Sequence, residues 1–458
     1  VTQPEPQALR HATVNNDPAT ALSPIVAHDF SDRPYWWDAA PPDMFEAVRG
    51  PESHDVAIIG SGLTGLRAAL DLARGGARVV VLERDAAGAG ASRRNAGFLG
   101  RVLKKSYSDL ARKFGDDYAH RVYSELHEAY ASTMAFIRAE GIECYAQECG
   151  RFIAATSAAH LNILVEDAEK LAEVFGYDHR VLTADRVREE MGSDAYCGGV
   201  VVPDLGSVHP GLYHKGLLDR AITSGVTVRT QSPVTGIVRQ AGGRRFSVTT
   251  PGGAIEADHL VMATNGYTPR GFSWHARRVI PFTGYMAATE PLSEAMLDEL
   301  IPRNRTIIDS DTNIDFFRRA PDSPRLLFGG DTGSGAVTPA DIARRMHEVL
   351  VRAFPQAAGV RLSRIWSGQC AGTFDMMPHL GQNDGIWYGL GYNFAGVPMG
   401  TYFGARIADQ ILNPQARDSI FMSRRFPTAP LYDGNPWFVP LVMKVFDWHD
   451  RYLASKVV

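Results

Sequence analysis

Cysteine is scarce: Cys144, Cys149, Cys197 and Cys370 are the only four in 458 residues. They are too scattered for a disulfide framework and form no C-x-x-C, so a reducing compartment and a cytoplasmic location are expected. Excess positive charge is also missing. The 47 Lys and Arg against 51 Asp and Glu give a formal net charge of -4, which offers a polyphosphate nothing to bind and argues against a nucleic-acid partner. No apolar run reaches the ~20 residues of a spanning helix, and the most apolar late stretch, 437–446, is interrupted by Pro440 and Lys444. No basic segment leads into an apolar run at the start, so no secretory leader is expected in the chain as given. The histidines have no metal-ligand spacing, and no metal is expected. What is present is apolar material, 45% hydrophobic against 21% charged. A chain of this length should divide into two or three domains.

The chemistry begins at Val56-Ala57-Ile58-Ile59, a short buried-strand run that enters Gly60-Ser61-Gly62-Leu63-Thr64-Gly65 and then a helical pattern from Leu66 to Gly75. A second strand, Arg78 to Glu83, closes a βαβ unit. Three glycines alone mark any tight turn, but here the G-x-G-x-x-G follows a strand, opens a helix and is followed about 20 residues later by an acidic strand end. Gly60 permits the turn, Gly62 lets backbone approach a pyrophosphate, Gly65 lets helix pack on strand, and the helix N-terminus favours negative charge. Glu83 suits ribose hydroxyls and argues against a 2′-phosphate, hence against NADP. NAD and FAD share this fingerprint.

The segment that follows decides between them. Gly88-Ala89-Gly90-Ala91-Ser92-Arg93-Arg94-Asn95-Ala96-Gly97 resembles the G-[AS]-S-x-R-N-x-G stretch of the D-amino-acid-oxidase-like flavoenzyme superfamily. Further stretches match that family: Ala263-Thr264-Asn265-Gly266-Tyr267, then Trp366-Ser367-Gly368 with Thr373-Phe374-Asp375 and Pro378 to Gly381, then Gly389-Leu390-Gly391-Tyr392. The opening Tyr35-Trp36-Trp37, the stretch from Ile280 to Pro291 and Leu326 to Gly330 are similar to the γ-glutamylputrescine-oxidase-like branch. The resemblance implies FAD, with contacts from the first glycine turn, Glu83, Arg84, Ala91 to Gly97, Phe98, Val234, Ala263 to Gly266, Trp366, Gly368, Asp375, and Gly391, Tyr392, Asn393, Phe394, Ala395, Gly396 and Val397. The late turn has its own physical reading: it precedes a helix, whose free N–H groups and dipole can face a flavin edge that gathers negative charge. A plain helix cap is the alternative. Asn393 to Ala395 replace the family's usual small and histidine residues.

The chain departs from the family elsewhere too. The cysteine tether of sarcosine-oxidase-like members aligns with Gly368, while Cys370, three residues before Thr373, is misplaced for it and reads as a small buried packing residue, and the histidine tether of related dehydrogenases aligns with Arg93. FAD is therefore expected to be noncovalent. The carboxylate clamp aligns with Gly100 and Pro398, so a small N-methyl amino acid is disfavoured, and where that branch has an oxygen-activating basic residue this chain has Leu326, Leu327 and Phe328. Substrate candidates are Arg318 or Arg319, on a strand the family runs across its pocket, with Tyr267 and Tyr285; a surface ion pair and core packing are the bland alternatives. No catalytic residue is named, because the family chemistry runs without a protein base.

Coarse patterning completes the expected layout. Leu110, Phe114, Val122, Leu126, Met134 and Ile137 predict helices within 106–196, and alternation over 276–330 predicts antiparallel strands. The expected fold is α/β (α+β overall), with a Rossmann-like FAD-binding domain from 51–105, 200–272 and 363–416. A mixed or antiparallel sheet from 106–199 and 273–362 forms the substrate domain, with an N-terminal arm, 1–50, and a C-terminal extension with a helix, 417–458. The expected activity is oxidation of the C–N bond of an amine or amino acid by hydride transfer to flavin, with oxygen or another acceptor. A dehydrogenase using a quinone or protein acceptor, and a non-catalytic flavin-bound assembly subunit, are the alternatives. Partners are then small molecules, and the oligomeric state is left open.

Overall fold

The computed structural model describes residues 24–240, 245–336 and 338–455. Val56 to Ile59 and Val79 to Leu82 are buried along their whole length, as parallel strands covered on both faces must be. They pair in parallel, Val56 opposite Val79, and form the middle of a sheet ordered Gly236–Arg239, Phe246–Thr250, Gly253–Met262, Glu52–Ile59, Val79–Leu82, Thr227–Arg229. Ile386–Leu390 adds in parallel to the end of Gly253–Met262. The helices Leu63–Arg74, Pro210–Thr223 and Gly396–Leu412 cover one face of this sheet through Leu66, Leu70, Leu217 and Phe403.

A nine-stranded mixed sheet forms the second layer, in the order Val26–Ser31, Leu362–Gly372, Ile280–Thr289, Leu326–Gly330, Phe316–Arg319, Thr306–Asp309, Arg151–Ala154, Gly198–Val202, Arg180–Thr183. Side chains alternate between its faces. Phe317, Phe328, Ala287 and Ile365 pack outward on Met346 and Leu350 of the helix Pro339–Ala353. Met286, Leu327 and Trp366 point inward and pack with Tyr35 and Trp36.

The division of the chain differs from its expected segments in three places. Helix Asp116–Ala139 shows the foreseen apolar spacing, yet Val122, Leu126 and Ile137 join the core of the nucleotide-type layer; periodicity reveals a buried stripe but not its partner. Leu362–Gly372, assigned from residue 363 to the FAD-binding part, instead pairs along Ile280–Thr289. The arm is more than a surface strap: Val26–Ser31 is an edge strand of the large sheet and Trp36 is completely buried. Its first residues, 1–23, lie outside the described residues. Cys144, Cys149, Cys197 and Cys370 are all free thiols. Among the described residues no helix is long and apolar enough to cross a membrane, and no cluster of side chains has metal-ligating composition.

Candidate active site

The first glycine turn joins Glu52–Ile59 to Leu63–Arg74. Gly60 has φ +103°, a conformation costly for any residue with a Cβ, and a Cβ on Gly65 would sit 2.0 Å from the Gly60 carbonyl oxygen. Glu83 braces the turn: its Oε2 accepts from the Ser61 N–H at 3.0 Å and the Ser61 hydroxyl at 2.7 Å, and Oε1 accepts from the Asp85 N–H at 3.0 Å. Ser92 reaches in from the next segment, and its Oγ accepts from the Leu63 N–H at 3.1 Å. The N–H groups of Gly62, Thr64 and Gly65 have no acceptor among the described residues, which makes this helix N-terminus a donor set for an anion.

The side chains of the two arginines of the glycine-rich segment are engaged with other partners. Arg93 is fully buried. Its guanidinium donates to His214 Nδ1 at 2.9 Å, to Asp43 at 2.7 Å and to the Ala40 and Pro41 carbonyls, so every edge of the fork is used on the arm and on helix Pro210–Thr223. This corrects its expected cofactor role: it is a strap. His214 in turn donates from Nε2 to the Ser61 carbonyl at 2.7 Å, and burial beside Arg93 pushes its pKa down to about 3. Arg94 donates to the Ala89 and Ser367 carbonyls and lies over the Trp37 ring. The indole N–H groups of Trp36 and Trp366 donate to the Asn95 and Arg94 carbonyls, both at 2.8 Å, and Asn95 folds back on Ala91 and Ser92. The segment from Arg94 to Phe98 is thus pinned across the inner face of the large sheet.

The late turn closes onto the first. Tyr392 shares a 2.6 Å hydrogen bond with Thr64, and the Gly391 N–H donates to Asn265 Oδ1 at 2.9 Å, which ties the Ala263-to-Tyr267 stretch to both. Asn393 and Phe394 have φ of +47° and +76°, strained conformations for residues with side chains. Asn393 is held there by the Thr373 N–H and the Gly391 carbonyl. The N–H groups of Phe394, Gly396 and Val397 have no acceptor among the described residues, a second donor set at a helix start. Asp375 is occupied by its own turn, accepting from His379, Thr373 and the Met377 N–H. Val234 is buried in the core beside the sheet that carries Ile59 and Leu82.

Across from these turns, the inner face of the large sheet presents one continuous row. Ile153 pairs with Ile308, Ile308 with Phe316, Phe316 with Gly329, Gly329 with Met286, and Met286 with Trp366. Phe98 meets Phe316 edge to face at 5.9 Å. The row is apolar, and the arginines expected beside it are committed elsewhere. Arg318 is buried and spends its guanidinium on the Ala96, Val208 and Arg319 carbonyls, with a pKa lowered to about 10 by burial. Arg319 points out to Asp298 and the Ile301 carbonyl and lines an outer groove with Tyr145 and Pro324. Tyr285 lies on the outward face and donates to the Ala336 carbonyl. Tyr267 accepts from the Gln369 N–H at 3.1 Å and packs under Gly90. Strand parity sends Arg319 and Tyr285 outward, whereas Arg318 faces inward like its pair Leu327 and is consumed by backbone carbonyls.

One cation missed by the sequence reading does reach this region. Lys104, in the loop between Leu99 and Tyr107, donates to the Thr312 carbonyl at 3.0 Å and places its ammonium 5.0 Å from the centre of the Phe394 ring. Its position follows from a loop path that no spacing encodes. Cys370 pairs with Phe282 on the inner face, and burial pushes its thiol up to about 12, the reverse of an activated thiolate.

The family model described as FAD dependent oxidoreductase, DAO, matches residues 55–410. A probable oxidoreductase, OrdL, of Haemophilus influenzae is 31% identical over 408 residues, covering 87% of this chain and 92% of that protein. The γ-glutamylputrescine oxidoreductase of Escherichia coli is 31% identical over 398 residues, covering 86% and 92%. The glycine oxidase structure from Geobacillus kaustophilus superposes with a TM-score of 0.64 at 21% identity, over 83% of this chain and 99% of that one. Fold and relatives together define an FAD-dependent oxidoreductase of the amine and amino-acid oxidase type. More particularly, the chain belongs to the DAO family of FAD-dependent oxidoreductases, with γ-glutamylputrescine oxidoreductase and OrdL proteins among its relatives.

The donor sets fit such a cofactor. Two helix starts with free N–H groups, a carboxylate at the end of the second strand and a pinned glycine-rich segment are the pieces a dinucleotide with a ring at one end requires.

Proposed function

We propose that the chain oxidises the C–N bond of an amine that carries an acidic group at its far end, with oxygen as the electron acceptor and FAD held noncovalently. FAD contacts are assigned to Gly60 to Gly65, Glu83, Arg84, Ser92, the backbone from Arg94 to Phe98, Val234, Ala263 to Gly266, Gly368 and Gly391 to Val397. The division into an FAD-binding and a substrate part follows the two sheets. The observation that carries the reading is the apolar row from Ile153 to Trp366 on the sheet whose Phe282 meets Phe394 of the late turn at 5.3 Å, together with the free N–H groups of that turn.

The chemistry FAD would supply when bound is two-electron acceptance: the neutral amine gives up hydride from the carbon next to nitrogen, and the iminium left behind is hydrolysed to a carbonyl compound and ammonia or amine. The residues of the chain provide the setting. Thr64, Tyr392 and Asn265 lock the two glycine turns to each other. The N–H groups of Phe394, Gly396 and Val397 favour negative charge developing beside them. Ile153, Ile308, Phe316 and Phe98 favour the neutral amine over its ammonium form by excluding water. Nothing at the Gly100 and Pro398 positions grips a carboxylate close to the reacting carbon, which supports a substrate whose acid lies farther away. The Escherichia coli relative, whose name specifies γ-glutamylputrescine, is named for a compound of that shape.

The test is anaerobic mixing of the yellow protein with primary amines, N-methyl amines and amino acids. Bleaching by an acid-tailed primary amine, with rapid recovery in air, is the expected result. Bleaching that recovers only with a quinone would move the chain to the dehydrogenases. No bleaching by any amine would leave the binding-subunit reading. Flavin remaining on acid-precipitated protein would overturn noncovalent attachment.

A further inference from the structure

We infer that Lys104 is the specificity-determining residue of this site, its ammonium binding the carboxylate at the far end of the amine substrate. The inference rests on the proposed function and supplies what that reading lacks, a cation with hydrogen-bonding capacity left over. A lysine ammonium has three donors. In Lys104 one of them is engaged, by the Thr312 carbonyl at 3.0 Å, and no carboxylate of the described residues forms an ion pair with it.

The neighbouring cations already hold partners. Arg318 and Arg319 are fixed on backbone carbonyls and Asp298. Arg151 lies 5.1 Å from the Phe98 ring centre and donates to Thr306 and the Leu99 carbonyl. Arg101 is paired through Nη2 with Asp204 and stacked on Tyr177, and its Nη1 is buried without a partner among the described residues, on the Tyr177 side rather than beside Phe394.

Position argues the same way. Thr312 lies in the turn between Thr306–Asp309 and Phe316–Arg319, so Lys104 stands at the end of strands that contribute Ile308 and Phe316 to the apolar row. Phe394 holds its ring between Lys104 and Phe282, 5.3 Å from the latter. It belongs to the late turn and is 44% exposed, so the ammonium flanks the apolar row on the side of that turn. The carbonyl that orients Lys104 is itself fixed: Asp450 of helix Val439–Ser455 accepts from both the Thr312 N–H and its hydroxyl, at 2.8 and 2.9 Å. The C-terminal helix therefore helps aim the lysine. Burial lowers the pKa of Lys104 while Asp309 and Asp450 oppose the shift, the electrostatics of a cation that gains by meeting an anion.

The probe is a matched pair, γ-glutamylputrescine and its analogue with the far carboxylate converted to a carboxamide, assayed on holoenzyme. The parent is expected to prefer the acid by about 10-fold or more in kcat/KM, as a charged hydrogen bond allows. Lys104→Met should bring that ratio to about 1, mainly through KM, because a far-end contact is made equally in ground and transition states. Lys104→Arg should keep the preference. Lys104→Glu should reverse it toward an analogue bearing an ammonium in place of the carboxylate, a gain that a misfolded variant cannot show. A parent preference that survives unchanged in Lys104→Met overturns the assignment and leaves the acid-tailed reading standing. A parent that treats acid and amide alike, or turns over neither, overturns that reading and Lys104 with it.

Discussion

Arg93 and His214 are joined by a 2.9 Å hydrogen bond, Nε to Nδ1, at a point where neither side chain reaches solvent. Because Nδ1 accepts, the imidazole proton sits on Nε2 and goes to the Ser61 carbonyl. A neutral histidine thereby connects the N-terminal arm, through Arg93, to the first glycine turn.

Removing the strap should cost both stability and flavin. Arg93→Ala strands Asp43, His214 and two carbonyls in a buried site, a loss of about 3–5 kcal/mol for a broken buried pair. Arg93→Lys is expected to recover little, since an ammonium cannot span a fork of acceptors. Thermal melts with and without added FAD check this; a melting temperature unchanged from the parent would refute the strap.

Histidine burial sets an acid limit. His275 packs between Trp274 and Tyr388 with its Nε2 unpartnered, and burial near Arg278 lowers its pKa to about 4. The unfolded chain, titrating near 6.5, binds the proton more readily, so this contribution is complete above about pH 6.5 and is lost as pH falls toward 4. His275→Phe removes the penalty. Its stability relative to the parent should rise by about 1–2 kcal/mol between pH 7 and pH 5 in urea melts. Asp167 and Asp315, each raised to about 6 by burial, act in the opposite sense in both proteins and cancel in the difference. A difference that stays flat with pH would place that proton elsewhere.

Glu83 keeps one lone pair, on Oε1, after Oε2 accepts twice from Ser61 and Oε1 once from Asp85. Glu83→Ala should weaken FAD binding by roughly 1.5–3 kcal/mol for each ribose bond lost. The flavin-free form should lose less. Fluorescence titration with limiting FAD measures the first and melting the second; equal losses would reduce Glu83 to a brace.

The two candidate arginines should part company. Arg318→Ala leaves the Ala96 and Val208 carbonyls buried without a donor, about 1–3 kcal/mol each. Arg319→Ala loses a pair with exposed Asp298, at most about 1 kcal/mol, together with two bonds to the Ile301 carbonyl, which keeps the Asn304 N–H as a donor. Neither should alter the preference between acid and amide substrates; a selective rise in KM for the acid in Arg319→Ala would return that residue to the site.

The glycine turn was legible because its constraints are local: strand, φ above zero, helix start and a carboxylate at fixed spacing. The stitching among Thr64, Tyr392 and Asn265 rests on residues already singled out, though spacing could not show that they touch. Arg93 and Arg318 were misplaced for a different reason. A basic residue near a cofactor motif reads the same whether its fork faces phosphate or backbone carbonyls, and only the fold decides. Lys104 escaped because the alignment drew attention to Gly100 and Pro398, whereas the cation arrives on an irregular loop. Strands as short as Arg151–Ala154 and Arg180–Thr183 carry too few residues for alternation to emerge from helical surroundings.

Val26–Ser31 lies parallel to the strand beginning at Leu362, with Val26 opposite Leu362 itself. On a ribosome adding about 5–20 residues per second, the earlier strand waits on the order of tens of seconds for its partner. The Ile280–Thr289 strand needs the same late segment on one side. Nascent chains thus carry unpaired strand edges through most of synthesis, a period in which mispairing competes with folding. His28 and Asp29, both exposed on the first strand, put polar side chains on the edge that waits longest.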